Sequence, residues 1–197
     1  MSNSSPRAVR TRREILDAAW TLIAERGARV SMADVAEAVG MTRQSVYLHF
    51  GSRAGLLMAL VHRADERFEI IEQLEAALEV EGGAARLDAC LGVWLDFVPK
   101  IHPVARHLIR IRADDADAAE AWGDRMKSLR RLFRLLVRSL RDEGVLDPGW
   151  TVSRATDYLW AGCSVQVWDL LVVERGWSHA QARASIRAGL ARVMLQA

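Results

Sequence analysis

Apolar residues along this 197-residue chain recur at spacings of three and four, and no stretch alternates with period two over several β-branched residues. The pattern predicts helices throughout. The first runs over 9–26, with Ile15, Ala18, Ala19, Leu22 and Ile23 on one face and Gly27 at its end. Ser31 followed by Asp34 is a weaker relative of the capping box and opens a second helix over 32–39, stopped at Gly40. Thr42 caps a third over 43–50, which Gly51 closes in the left-handed conformation. Ser52 caps the fourth, expected as one amphipathic rod over 53–79 through Leu56, Leu57, Leu60, Val61, Ala64, Phe68 and Ile71. Beyond the break at Glu81-Gly82-Gly83, helices are expected over 85–98, 104–113, 118–143, 152–175 and 178–195. Pro99 and Pro103 interrupt the first junction, Asp147-Pro148-Gly149 makes a turn, and Ser178 with Gln181 forms a capping box. The fold class is therefore all-α, with about nine helices and no internal repeat.

Composition narrows this further. At 51% hydrophobic the chain can bury a core as one domain or two closely packed ones. No apolar run approaches the roughly 18 residues of a membrane helix, and Met1 to Pro6 lacks a signal peptide's apolar stretch, so a cytoplasmic protein without membrane contact is expected. Cys90 and Cys163 stand apart, without CxxC spacing, and read as small buried hydrophobes; no metal and no cofactor is expected. Glu69, Glu72, Glu75 and Glu79 form one solvated helix face rather than a metal site. The net charge of +2 conceals an uneven distribution: residues 1–53 carry eight Arg against five Asp/Glu, the remainder nineteen Lys/Arg against twenty. The positive surplus sits at the front.

The front helices also carry the constraints of a helix-turn-helix, in which two short helices cross tightly so that the second can enter a groove about 12 Å wide. Counted from Met32, Val35 is apolar at position 4, Ala36 small at position 5, Val39 apolar at 8, Gly40 the turn glycine at 9, Met41 apolar at 10 and Val46 the β-branched anchor at 15. The stretch "TRQSVYLHF" from Thr42 then divides by its i,i+4 pairs. Val46 and Phe50 face inward. Arg43 and Gln44 can pair bidentately with guanine and adenine, and Leu48 can touch a thymine methyl, so these three are the expected base contacts. Ser31, Thr42, Tyr47, His49 and Arg53 suit phosphates, helped by the free N–H groups of helix starts. Tyr47 and His49 equally suit a half-buried aromatic pair supporting the fourth helix. The segment from Ser5 to Arg13 either reaches along the DNA backbone or into a minor groove, or is a disordered basic end whose last residues extend the first helix.

The run from Ile15 to Leu60 closely resembles the DNA-binding domain of the TetR family of bacterial transcriptional regulators. The matching residues are Ser31, Asp34-Val35-Ala36, Gly40-Met41-Thr42, Tyr47-Leu48-His49-Phe50 and Ser52-Arg53. The chain departs from the family pattern at Gln44-Ser45, where Gly-Thr is frequent, at Arg53 for Lys, and at Gly55, where an acidic residue is common. The resemblance implies a three-helix helix-turn-helix DNA-binding domain over 1–55, joined by a long fourth helix to a helical ligand-binding and dimerisation domain over 56–197. It implies a homodimer through the last two helices, reading a pseudo-palindromic operator on double-stranded DNA with recognition helices about 34–36 Å apart. It also implies a small-molecule effector that relieves repression by tilting the fourth helix.

Six of the seven Trp lie beyond residue 90. Trp94, Phe97, Trp122, Met126, Phe133, Trp160 and Trp168 suit a cavity for a hydrophobic, aromatic or cationic ligand, with His107, Ser164 and Gln166 as polar anchors; they suit ordinary core and dimer packing equally. A ligand-independent activator or architectural DNA binder is the alternative regulator. An enzyme is disfavoured: His102 and His107 straddle a helix around Pro103, Asp114, Asp115 and Asp117 read as a solvated loop and helix start, and no nucleophile elbow, P-loop or dinucleotide fingerprint occurs.

Overall fold

A computed structural model of the chain describes residues 6–27 and 30–196. Its elements are α1 (Pro6–Arg26), α2 (Met32–Ala38), α3 (Arg43–Phe50), α4 (Arg53–Arg67), α5 (Ile70–Leu78), α6 (Gly83–Ile111), α7 (Ala116–Asp142), α8 (Val152–Gly162), α9 (Val165–Asp169) and α10 (His179–Met194). A π-helical turn, Leu170–Glu174, continues α9. The all-α class expected from the hydrophobic spacing holds: among the described residues extended pairing amounts to a single bridge between Leu146 and Leu195.

The chain forms two compact units. One comprises residues up to Arg67 together with Pro103–Asp124, the other Phe68–His102 with Arg125 onward, so α6 and α7 supply residues to both. In the first unit the stripes Ile15, Leu16, Ala19, Leu22 and Ile23 of α1, Met32, Val35 and Ala36 of α2, Val46 and Phe50 of α3, and Leu56, Leu57, Leu60 and Ala64 of α4 are buried. Each of the larger of these side chains contributes roughly 1.5–3 kcal/mol on leaving water, the alanines less. The second unit buries Ile70 and Leu74 of α5, Leu87, Leu91, Trp94 and Leu95 of α6, Phe133, Leu136 and Leu140 of α7, and Leu159 of α8.

Three boundaries differ from the sequence expectation, each for a physical reason. The rod expected over 53–79 is interrupted at Glu69, which adopts φ 50°, ψ 37°. A continuous stripe through Leu60 and Ala64 would bury Ile71; instead Ile70 and Leu74 are buried and Ile71 is exposed, a register shift of one residue that an unbroken helix cannot make. The left-handed residue costs roughly 1–2 kcal/mol, less than burying Ile70 and Leu74 gains. The break expected at Pro99 and Pro103 is absent, and α6 continues through both. Each proline forfeits one backbone donor, but Leu95, Val98, Ile101, Val104 and Leu108 are buried around them and hold the helix together. The helix expected over 152–175 stops at Gly162 and restarts at Ser164, whose hydroxyl accepts the Val167 N–H at 3.3 Å. The carbonyl of Cys163 freed there accepts the indole N–H of Trp94 at 2.7 Å. The turn at Asp147-Pro148-Gly149 forms as expected, with the Gly149 N–H donating to the Asp147 carboxylate at 2.8 Å.

Candidate functional site

The caps define α3 before its side chains do. Thr42 has an extended backbone, and its hydroxyl accepts the Ser45 N–H at 3.1 Å and pairs with the Ser45 hydroxyl at 2.8 Å. At the far end the Gly51 N–H donates to the Tyr47 carbonyl at 2.7 Å, with φ at 73°, where a side chain is strained. Gly55, which the sequence pattern leaves without a reason, has one here: a Cβ would lie 2.1 Å from the Phe50 carbonyl oxygen, so only glycine lets α4 begin so close behind α3.

Between the caps, Val46 and Phe50 are buried, one turn apart. Arg43 and Gln44 point to solvent and Leu48 is 83% exposed, a leucine with no part in the core. Tyr47 and His49 are half-buried. An Arg43 N–H donates to the Tyr47 hydroxyl at 3.2 Å, and its guanidinium carbon lies 5.3 Å from the ring centre. The carbonyl of His49 accepts from Arg12, whose guanidinium lies 4.2 Å over the Phe50 ring. Of the basic front segment, Pro6 to Arg13 is helical as the start of α1, and Arg12 fastens the end of α3; Ser5 lies outside the described residues. Nothing in the local sequence marks Arg12 for this, because its partners are 37 and 38 residues away.

Of the five candidate phosphate ligands, Ser31, Tyr47 and Arg53 line one cleft, and Thr42 and His49 are not among its lining residues. Ser31 completes a full capping box: its hydroxyl accepts the Asp34 N–H at 3.2 Å and donates to the Asp34 carboxylate at 2.5 Å, and the Ser31 N–H donates to the same oxygen at 2.7 Å. The Ser31 hydroxyl, and next its N–H, hold the Asp34 carboxyl below its ordinary value. Ser31, Met32, Ala33, Arg43, Tyr47 and Arg53 line one open cleft of about 380 Å³. Asp115 lines it too. The Arg53 guanidinium donates through one nitrogen to both oxygens of that carboxylate, at 2.8 and 2.9 Å, with Asp117 3.6 Å away. Asp115, read from the sequence as a solvated loop residue, thus stands among the candidate DNA-facing groups.

Of the aromatic candidates, Trp122 belongs to the first unit and the others to the second. Trp94 lies 5.8 Å from Phe97 and 6.3 Å from Phe133, ring centre to ring centre, and all three are buried: this is core packing in the second unit. Trp168, also buried, stacks at 4.9 Å on His102 and donates its indole N–H to Nδ1 of His179 at 3.1 Å; His179 Nε2 faces Asp96 at 3.1 Å, and His102 pairs with Asp169. Trp160 is half-buried, its indole nitrogen enclosed without a hydrogen-bond partner among the described residues. Ser164 is committed to capping α9, and Gln166 is half-buried on that helix. Trp122 is buried in the first unit, and Met126 is half-buried one turn on along α7. His107 belongs to the first unit, its ring beside Gly27, where a Cβ would be 3.3 Å from Nδ1. It lines an open cleft of about 610 Å³ with Arg26, Arg110, Ile111, Asp114 and Asp115.

Burial pushes the Cys90 thiol up to about 11 and raises that of Cys163 as well, so both stay protonated at neutral pH. Among the described residues, no group of three or more His, Cys, Asp or Glu could hold a metal ion, and no helix is long and apolar enough to cross a membrane.

Comparison with known proteins agrees with this geometry. Residues 15–60 match the family model for bacterial regulatory proteins of the tetR family. The HTH-type transcriptional regulator TtgR of Pseudomonas putida is 40% identical over 75 residues, 38% of this chain and 34% of that protein. The chain thus matches about a third of that curated relative's length. In three dimensions the likeness is longer. The fatty acid degradation regulator FadR from Bacillus halodurans aligns over 96% of this chain and 97% of its own, with TM-score 0.77 and 16% identity. The transcriptional regulator FadR from Bacillus subtilis, solved with stearoyl-CoA, aligns over 92% and 98%, with TM-score 0.75 and 17% identity. At such identities these two establish the fold.

Proposed function

We propose, from the match of residues 15–60 to the tetR-family model and the N-terminal likeness to TtgR, that the chain is a sequence-specific DNA-binding transcriptional regulator of that family, a homodimeric repressor released from a pseudo-palindromic operator by a small hydrophobic or aromatic ligand. The observation that carries the reading is α3 itself. A capped two-turn helix fixed by Val46 and Phe50 turns Arg43, Gln44 and an 83% exposed Leu48 to solvent, side chains suited to base edges and useless to the core. Thr42, Tyr47, His49, Ser31 and Arg53 surround them as phosphate ligands. Residues 1–55 serve as the DNA reader and 56–197 as the ligand-binding and dimerisation part.

Dimerisation through the last helices is supported by what α8, the π turn and α10 leave outside. Tyr158, Leu170, Val173, Trp177 and Val193 are exposed, and Ala184, Ala188 and Gly189 form a small-residue face on α10 that permits close helix approach. Ile186, Leu190 and Met194 are already buried within the chain and contribute to its own core. The ligand reading is supported by the enclosed Trp160 N–H, which an acceptor atom of a ligand would satisfy, and by the fatty-acyl ligand of the similar Bacillus subtilis FadR. Because α4 ends at Arg67, coupling runs through α6 and α7, which supply residues to both units, and not along one unbroken fourth helix. A 100-fold loss of operator affinity needs only about 2.7 kcal/mol of coupling.

Selection of bound DNA from genomic fragments tests the reading. A recurring inverted repeat is the expected result, and its selective loss with Arg43→Ala and Gln44→Ala assigns α3 as the reader. Recovery of no preferred sequence overturns it.

A further inference from the structure

The cleft lined by Ser31, Arg43, Tyr47 and Arg53 contains a carboxylate where an interface for DNA would be expected to carry positive charge. Arg53 is not merely near Asp115. One guanidinium nitrogen reaches both carboxylate oxygens at 2.8 and 2.9 Å, and Asp117 adds a second negative charge 3.6 Å away. The pair is only partly solvated, with Arg53 22% and Asp115 27% exposed at the side chain. A carboxylate and a phosphodiester offer the same thing to a guanidinium, two anionic oxygens in one plane. Asp115 therefore makes with Arg53 the contact that a DNA phosphate would make.

We propose that Asp115 is an internal phosphate surrogate: it holds Arg53 in the free protein and must release it for the backbone contact, so the corner between α6 and α7 sets the affinity for DNA. This rests on the DNA-binding reading and names how that site is regulated. The carboxylate is well placed for such control because it is fixed to the corner. Its Oδ1 accepts the Ala118 N–H at 3.0 Å, its carbonyl accepts the Ala119 N–H at 3.0 Å, and the Asp114 N–H donates back to the Ile111 carbonyl at 3.0 Å. Asp115 thus travels with the first turn of α7 and the last turn of α6. When the corner carries it away, Arg53 loses its partner and is left to a phosphate; when it presents it, the same residue also repels the backbone.

The test uses the full chain and a fluorescein-labelled duplex of arbitrary sequence, because phosphate contacts are sequence-independent. Affinity is measured by anisotropy across a salt series. Asp115→Asn keeps an acceptor for the α7 cap and removes the charge. It should tighten binding roughly eightfold per protomer near 0.1 M salt and steepen the slope of log K against log salt by about 0.9 per released contact. Asp117→Asn, farther from Arg53, should give a smaller gain. Arg53→Gln should weaken binding, and Asp115→Asn added to it should give no further gain. Unchanged or weaker binding by Asp115→Asn, with its thermal melt intact, overturns the proposal, as does a full gain in the Arg53→Gln background. A wild-type chain that binds the duplex and recovers a preferred sequence keeps the DNA reading in either event, whereas a wild type that binds no duplex overturns both.

Discussion

Two short helices of this chain start in the same way and use their polar side chains in opposite ways. Both α3 and α9 open on a hydroxyl that accepts a backbone N–H three residues on, from Thr42 to Ser45 and from Ser164 to Val167. Past the cap, α3 leaves Arg43, Gln44 and Leu48 in solvent while buried Val46 and Phe50, with Arg12 at its last turn, hold it down. In α9, Trp168 is buried, its indole donates to His179, and Asp169 at the last turn takes His102. An element that satisfies its polar groups internally is anchored on every side, whereas one that leaves them outward has hydrogen-bonding capacity reserved for another molecule. The expected function of each region follows from that difference: recognition at α3, structural support at Trp168 and Trp94.

The largest effect that would break the contrast lies in the supporting region. Trp94→Ala should destabilise the fold by about 3–5 kcal/mol in urea denaturation, because it empties a buried site beside Phe97 and Phe133. Trp94→Phe should cost less, about 1–3 kcal/mol, since the ring stays while the Cys163 carbonyl loses its donor. A near-neutral Trp94→Ala with saturable ligand binding retained would instead mark this side chain as a pocket wall.

On the recognition side the signs reverse. Arg43→Ala and Gln44→Ala should leave stability within about 0.5 kcal/mol, both being exposed, while each lowers discrimination at one base pair by about 1–3 kcal/mol. Competition between the selected operator and single-base variants measures it. A uniform loss on all sequences would move either residue from base reading to phosphate contact.

The caps allow the two helices to be compared at equal cost. Thr42→Ala and Ser164→Ala each remove a single N-cap bond, about 1 kcal/mol of stability apiece in chemical denaturation. Only Thr42→Ala should also weaken DNA binding, since its hydroxyl lies beside the reading face. Equal effects of both on DNA would show that capping matters there only through overall stability.

The same contrast explains what the sequence could and could not reveal. The caps, the buried pair Val46/Phe50 and the turn at Gly40 are local: their partners lie within five residues, so spacing alone was enough to place them. The partners that decide the second unit are distant. Trp94 meets Cys163 69 residues away, His102 meets Asp169 67 away, and His179 meets Asp96 83 away. No periodicity carries that information, so spacing does not tell core from pocket there. Gly55 and Arg53 share this limit at shorter range. The residues were visible as departures from a family pattern, but the reasons, a carbonyl at 2.1 Å and a carboxylate 62 residues on, were not.

The smallest expected effect concerns the capping box of α2, and its sign follows from linkage. The Ser31 hydroxyl and N–H hold Asp34 below its ordinary value of 3.8, so the ionised carboxylate is favoured more in the folded chain than in the unfolded one. Its contribution is therefore fully present above pH 3.8 and is lost as pH falls through the lower folded value. Asp34→Asn should lower the melting temperature slightly at pH 7 and low salt, with the gap to wild type narrowing as pH is taken below 3.8. Because this carboxylate lies at the surface, added salt should shrink the gap at pH 7 as well. A gap that persists unchanged in acid would assign the effect to the shape of the side chain in the box, and α2 would then be held in front of α3 by packing of Met32, Val35 and Ala36 and not by charge.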